Sequence, residues 1–162
     1  MTEDLMIREY RLSDNAEVAA LNAYGLTAAR VPADADVYAG DLDDISATYL
    51  TGRATLLVGQ LGKNVVAMGA LREIDRTTCE ITRMRVAPHS QGRGYGKAIL
   101  NRLEDIARRH GYRRATLLTG PDQHPAIDLY TAAHYTITET EQYGALIGVR
   151  MSKELERFSG LV

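Results

Sequence analysis

The stretch "CEITRMRVAPHSQGRGYGKAIL", residues 79–100, runs a strand, a glycine cluster and the start of a helix together without a break. Nothing else in the chain restricts its fold as tightly. "CEITRMRV" has the apolar, β-branched character of a strand. Gly92, Gly94 and Gly96 fill three of the next positions, and a helix from about Gly94 to His110 carries Ile99, Leu103 and Ile106 on one stripe. Gly111 stops it, with Arg108, Arg109 and His110 in the last turn, where the helix dipole favours cations. "RATLLTG" follows as another strand. Strand, helix and strand in that order make a parallel crossover, which requires a sheet with at least one parallel pair.

Glycines at this density let a backbone turn tightly and approach a ligand closely. Two phosphate loops are excluded by spacing. The P-loop needs four residues between its glycines and then Lys followed by Ser or Thr, whereas Ala98 follows Lys97 here. The dinucleotide fingerprint needs G-x-G-x-x-G near the first strand, whereas this G-x-G-x-G follows several strands. What survives is a helix start whose unpaired amides and dipole suit an anion, with Arg93 and Lys97 adding charge. A tight strand-to-helix turn holding no ligand accounts for the glycine spacing as well.

Upstream, "MIREYRL" alternates apolar and polar residues and reads as a first strand. Ser13 is the expected N-cap of a helix with Val18 and Leu21 on one face, stopping near Gly25. A loop surrounds Pro32. "DLDDISATYL" predicts a second helix, with Leu42, Ile45 and Tyr49 at i, i+3 and i+7. "ATLLVGQL" and "VVAMGALREI" form a hairpin through Gly62, Lys63 and Asn64. Downstream, "HPAIDLYTAAHY" is a short helix with Pro125 near its start. "ALIGVRMSKEL" is the last strand, paired with one near Tyr135 to Thr138. The fold class is therefore α/β with a mixed sheet, antiparallel early and parallel at the crossover, in a single domain spanning residues 1–162.

Composition narrows the function classes. A net charge of −2 argues against a general nucleic-acid binder. No apolar run approaches the ~20 residues of a membrane span, and "MTEDLMIREY" lacks a signal-peptide core, so the expectation is a cytoplasmic protein without a membrane partner. Cys79 is the only cysteine, which excludes an internal disulfide and a cysteine-cluster zinc site, and no metal-ligand spacing occurs elsewhere. The nine tyrosines stand against one Phe and no Trp; some are expected to line a polar cleft and the rest to pack.

From Cys79 to Leu100 the chain resembles the GNAT superfamily of acyl-CoA N-acyltransferases. The family pattern Q/R-x-x-G-x-G/A is matched by Gln91, Gly94 and Gly96 after "RMRVAP". A second family pattern, N-x-x-A-x-x-L-Y-x-x-x-G-F, is matched in "DQHPAIDLYTAAHY" by Ala126, Leu129 and Tyr130. Gln123 stands there for Asn, His134 for Gly and Tyr135 for Phe. The His134 substitution suggests an altered route from the last helix into the following strand. The similarity spans roughly Met6 to Leu155.

The resemblance implies a mixed, mostly antiparallel sheet with a splayed parallel pair, "CEITRMRV" and "ATLLT", and flanking helices. It implies acetyl-CoA as co-substrate and no metal. Backbone groups of Met84, Arg85 and Val86 would pair with the pantetheine arm as an added strand would. Amides of Gln91, Gly92, Arg93, Gly94, Tyr95, Gly96 and Lys97 would hold the pyrophosphate, and Gln123 and Tyr130 would complete the cofactor site. An N–H near Val86 would polarise the thioester carbonyl.

The implied catalytic pair is Glu80 and Tyr130. Making a lysine-like amine neutral at pH 7 costs about 4 kcal/mol, so a base or a water path to a carboxylate is needed, and Glu80 is the candidate. A strand-end glutamate in solvent, or paired with an arginine, is the other reading of that residue. Tyr130 would protonate the departing thiolate, or would simply pack against the cofactor. Asp34, Asp36, Asp41, Asp43 and Asp44 form an acidic excess that would draw in a cationic acceptor, or merely favour a helix start. The expected reaction is acetyl transfer to a primary amine of a small molecule in a ternary complex. A protein lysine, an N-terminal amine and a non-catalytic acyl-CoA sensor are the alternatives, and a homodimer is compatible with the family.

Overall fold

The computed structural model describes residues 4–156. Seven strands form one sheet: β1 (Met6–Glu9), β2 (Thr55–Leu61), β3 (Asn64–Glu73), β4 (Thr78–Val86), β5 (Arg114–Thr119), β6 (Thr136–Tyr143) and β7 (Leu146–Glu154). Their spatial order is β1-β2-β3-β4-β5-β7-β6. Every neighbouring pair is antiparallel except β4 and β5, which are parallel. The helices are α1 (Asn15–Ala28), α2 (Ile45–Tyr49), α3 (Tyr95–Arg109) and α4 (His124–Ala132). Among the described residues no helix is long and apolar enough to cross a membrane.

The sheet is covered on both faces, so β2 and β3 are apolar almost throughout rather than alternating. One core joins α3 to the sheet through Ile99, Leu103, Ile81, Leu117 and Met151; Ile106 packs at its margin. The other lies beneath α1 and α2 and includes Val18, Leu21, Ile45, Tyr49 and Leu56. Each large aliphatic side chain sealed in these layers stabilises the fold by about 1.5–3 kcal/mol.

Two irregularities interrupt β4. The first is a bulge. Ala70 pairs with Thr82 and Met68 with Arg85, so β4 spends one residue more than β3 over that interval. Arg83 takes the left-handed φ of 55° there. Met84 is thereby pressed onto α3, and Gly69 on β3 makes room for it. A Cβ at Gly69 would lie 2.6 Å from Met84 Sδ and 2.7 Å from Ile99 Cγ2. Gly69→Ala should therefore lower stability by about 1–3 kcal/mol through overpacking, read as a shift in urea midpoint. An unmoved midpoint would mean that Met84 swings away freely.

The second irregularity is the parting of β4 from β5. They pair only from Thr78↔Arg114 to Ile81↔Leu117. Beyond that point β4 stays with β3, out to Ala67↔Val86, while β5 stays with β7, out to Thr119↔Val149. The sheet opens into a V whose apex is at Ile81 and Leu117.

Several local expectations are corrected. Ser13 does not cap α1; it lies in a 3-10 turn, and Asp14 occupies the N-cap. Asp14 gives no side-chain cap because its carboxylate accepts from Arg8 and from the Arg11 amide. α1 continues through Gly25 to Ala28. α2 begins at Ile45 instead of near Asp41, because Asp44 caps it by accepting from the Ala47 amide at 3.1 Å. His134 stands where the family pattern has glycine. It adopts a φ of 76°, a geometry open to glycine and tolerated by a minority of His residues, and the Tyr135 amide closes onto the Tyr130 carbonyl at 2.9 Å.

Candidate active site

The V opens into a cleft of about 820 Å³. Its walls are the end of α1, residues 35–38, β4 from Ile81 to Val86, the end of β5, α4 at Ala126 and Tyr130, and residues 143–148. Four of the tyrosines, Tyr24, Tyr38, Tyr130 and Tyr143, line it. So do Met84, Arg85, Val86, Gln91 and Gln123 from the expected cofactor set.

The glycine loop lies at the start of α3. Gly92 and Gly94 take φ values of 75° and 82°, and a Cβ on either would meet nothing within 4 Å. Gly94 is the N-cap and brings no side chain to cap the helix. The first intrahelical bond runs from the Ala98 amide to the Gly94 carbonyl at 3.0 Å. The amides of Tyr95, Gly96 and Lys97 are therefore left without helical acceptors, and no acidic residue stands in the first turn. Arg93 and Lys97 are exposed beside them. An open cradle of amides under positive charge fits a diphosphate.

On the strand side, the Met84 carbonyl accepts from Arg85 Nη1 and the Val86 carbonyl from Gln91 Nε2, both at 3.3 Å. These bonds are long and side-chain made. A ligand that ran along β4 as an added strand would exchange them for its own at little cost.

Tyr130 and Glu80 occupy different surroundings. Tyr130 is 6% exposed and lines the cleft. Its hydroxyl has no hydrogen-bond partner among the described residues, and no buried side-chain oxygen there is left unpartnered, so the hydroxyl opens on the cleft. Burial raises its pKa to about 12, with the Arg85 charge pulling the other way. Glu80 is 2% exposed and is not part of the cleft wall. Arg72 Nε donates to its Oε1 at 2.7 Å, and Arg150 Nη1 and the Tyr38 hydroxyl donate to its Oε2 at 2.6 and 3.0 Å. Tyr38 faces the cleft, and the guanidiniums of Arg72 and Arg83 lie 5.3 and 5.5 Å from the centre of its ring. Burial, then the Glu80 charge, pushes the Tyr38 phenol up.

The acidic excess does not form an open mouth. Arg83 Nη2 donates to Asp36 Oδ2 at 2.7 Å and to Asp41 Oδ1 at 2.8 Å. Asp41 also accepts from Tyr49, and Asp44 is spent on α2. Two of the five carboxylates neutralise a buried arginine and one caps a helix. Cys79 is buried, and burial pushes its thiol up to about 12, so it is no nucleophile.

With this geometry in view, the sequence profile of the Acetyltransferase (GNAT) family matches residues 26–135. The chain belongs to the GNAT acetyltransferase family. Among curated relatives, N-acetyltransferase family 8 member 2 of Rattus norvegicus is 32% identical over 95 residues, covering 56% of this chain. The chain spans only 42% of that protein's length. A GNAT-family acetyltransferase from Staphylococcus aureus Mu50 shares the fold with a TM-score of 0.83 at 15% identity, over 94% of this chain and 100% of that one. YncA from Salmonella typhimurium, solved with its cofactor acetyl-CoA, gives a TM-score of 0.77 at 23% identity, over 98% of each chain.

Proposed function

We propose that this chain moves the acetyl group of acetyl-CoA to a primary amine of a small molecule, with both reactants bound together. The observation that carries this reading is the split between β4 and β5 with an unpartnered phenol on its wall. Acetyl-CoA, when bound, supplies the activated acyl group. The amides of Gln91 to Lys97 hold its diphosphate, and Met84, Arg85 and Val86 line the arm, with Gln123 at the far wall. An amide near Val86 polarises the carbonyl that is attacked. Tyr130 keeps its proton at neutral pH, because its pKa of about 12 lies far above 7. It donates that proton toward the departing sulfur.

Glu80 acts at one remove. Its carboxylate is saturated by two guanidiniums and a phenol, and what it presents to the cleft is the oriented ring of Tyr38. It is a positioning residue, and water in the open cleft takes the amine proton.

Incubation with acetyl-CoA and a panel of amines, read as free thiol, tests the reaction. Turnover on at least one small amine is expected. Tight acetyl-CoA binding with no turnover on any amine would favour a sensor. Tyr130→Phe should lower kcat by about 10- to 100-fold while acetyl-CoA affinity stays within about twofold. An unchanged kcat would remove the acid role.

A further inference from the structure

Arginines that leave solvent need a countercharge, and among the described residues all but one have it. Among the described residues that are not exposed, Arg8, Arg53, Arg72, Arg83, Arg108 and Arg150 each lie within 4 Å of a carboxylate oxygen. Arg85 is half-buried in the cleft wall and forms no ion pair there. The carboxylates whose charge reaches it, Asp36 and Asp41, are already bonded to Arg83. What it touches is neutral. Nε and Nη2 donate to Asn22 Oδ1 at 3.3 and 3.2 Å, and Nη1 to the Met84 carbonyl at 3.3 Å. Two of its five N–H groups remain for something else. Burial, and then the like charge of Arg83, lower its pKa.

The seat of this side chain is built. Arg85 lies over α1 at Gly25, where a Cβ would come within 2.1 Å of Arg85 Cδ and 2.3 Å of Nε. Any other residue at position 25 would force the guanidinium off α1. Asn22, one turn earlier on α1, then holds it from the same side. A cation fixed in a cleft without its own anion is arranged to receive one.

The anion has two sources in an acyl-CoA enzyme. The phosphates of coenzyme A are one, but the glycine cradle of α3 lies against the opposite face of the sheet from α1. Met84 packs against the core that holds Ile99 and Leu103 of α3, while Arg85, the next residue, turns to α1. The pantetheine arm between those phosphates and the sulfur carries no charge. The other source is the acceptor.

We propose that the acceptor is a primary amine that also bears a carboxylate, and that Arg85 binds that carboxylate. This rests on the acetyl-transfer reading above and names the substrate class of the same cleft.

The test compares amines in matched pairs, an amino acid against its carboxamide, with wild type and Arg85→Gln. Wild type should prefer the acid, and Arg85→Gln should lower the ratio of kcat/KM between acid and amide by at least about tenfold. Calorimetry with coenzyme A present should show the same loss for the acid, which keeps the result readable without turnover. An unchanged ratio, or a wild-type preference for the amide, would overturn the proposal. A fall in acetyl-CoA affinity with the ratio intact would assign Arg85 to the cofactor. An equal fall in kcat for acid and amide, with a shifted alkaline limb, would assign it to the Tyr130 phenol. No turnover on any pair, with Arg85-dependent binding of the acid retained, would defeat acetyl transfer and leave the carboxylate site standing.

Discussion

Arg83→Met is expected to destabilise the fold by about 3–5 kcal/mol, the largest stability change anticipated for a single substitution at the cleft. The Arg83 side chain is 2% exposed, and Asp36 and Asp41, at 9% and 12%, face it at 2.7 and 2.8 Å. It also donates to Asn22 Oδ1 at 3.1 Å and to the Tyr38 carbonyl at 3.0 Å. The same guanidinium thus ties β4 to α1 and to the segment between α1 and α2. Removing it leaves two nearly buried carboxylates side by side without a cation. Adding Asp36→Asn and Asp41→Asn to Arg83→Met should restore part of the loss, since the charges that needed neutralising are then gone. Chemical denaturation of the single and triple variants measures this. A single variant as stable as wild type would mean that the network contributes nothing net.

Gly94→Glu is expected to reduce acetyl-CoA affinity by more than about 100-fold in a protein that still folds. Its φ of 82° costs an L-residue about 1–2 kcal/mol. That strain alone does not explain the loss, and Gly94→Ala separates the two effects. Alanine bears the same strain, but its Cβ meets nothing within 4 Å, so binding should largely persist. The glutamate carboxylate instead competes for the free amides at the start of α3 and repels a diphosphate. Calorimetry on both variants reads the difference. Near-normal affinity in Gly94→Glu would show that the diphosphate lies elsewhere.

What sequence alone reveals here tracks the range of the forces involved. The crossover is legible because its signals are local. The β4 run, the glycines and the stripe of Ile99 and Leu103 lie within thirty-odd residues and answer to backbone geometry and helical period. The hairpin of β2 and β3 is legible for the same reason. The end of α1 is not, because Gly25 reads as a stop, whereas it serves a contact with Arg85, sixty residues away. The start of α2 is misplaced for a similar reason: Asp41 looks like a first-turn acid, while its actual partners are Arg83 and Tyr49.

The site divides in the same way. The resemblance carried by local motifs points to Tyr130 and to the loop from Gln91 to Lys97. It does not give the surroundings of Glu80, since Tyr38 and Arg150 stand 42 and 70 residues from it. No periodicity marks Tyr38 as the residue through which Glu80 reaches the cleft. Nor can sequence show that Arg85 lacks a carboxylate, because that depends on Arg83 having taken Asp36 and Asp41 first.

The amides opening α3 and the free stretch of β4 must together receive coenzyme A if the proposed chemistry is right. Backbone amide resonances followed by NMR during a titration with coenzyme A report on this residue by residue. The largest shifts are expected at residues 91–97, with a second set at Met84 to Val86. Saturable shifts confined to other elements, or none at all, would contradict it.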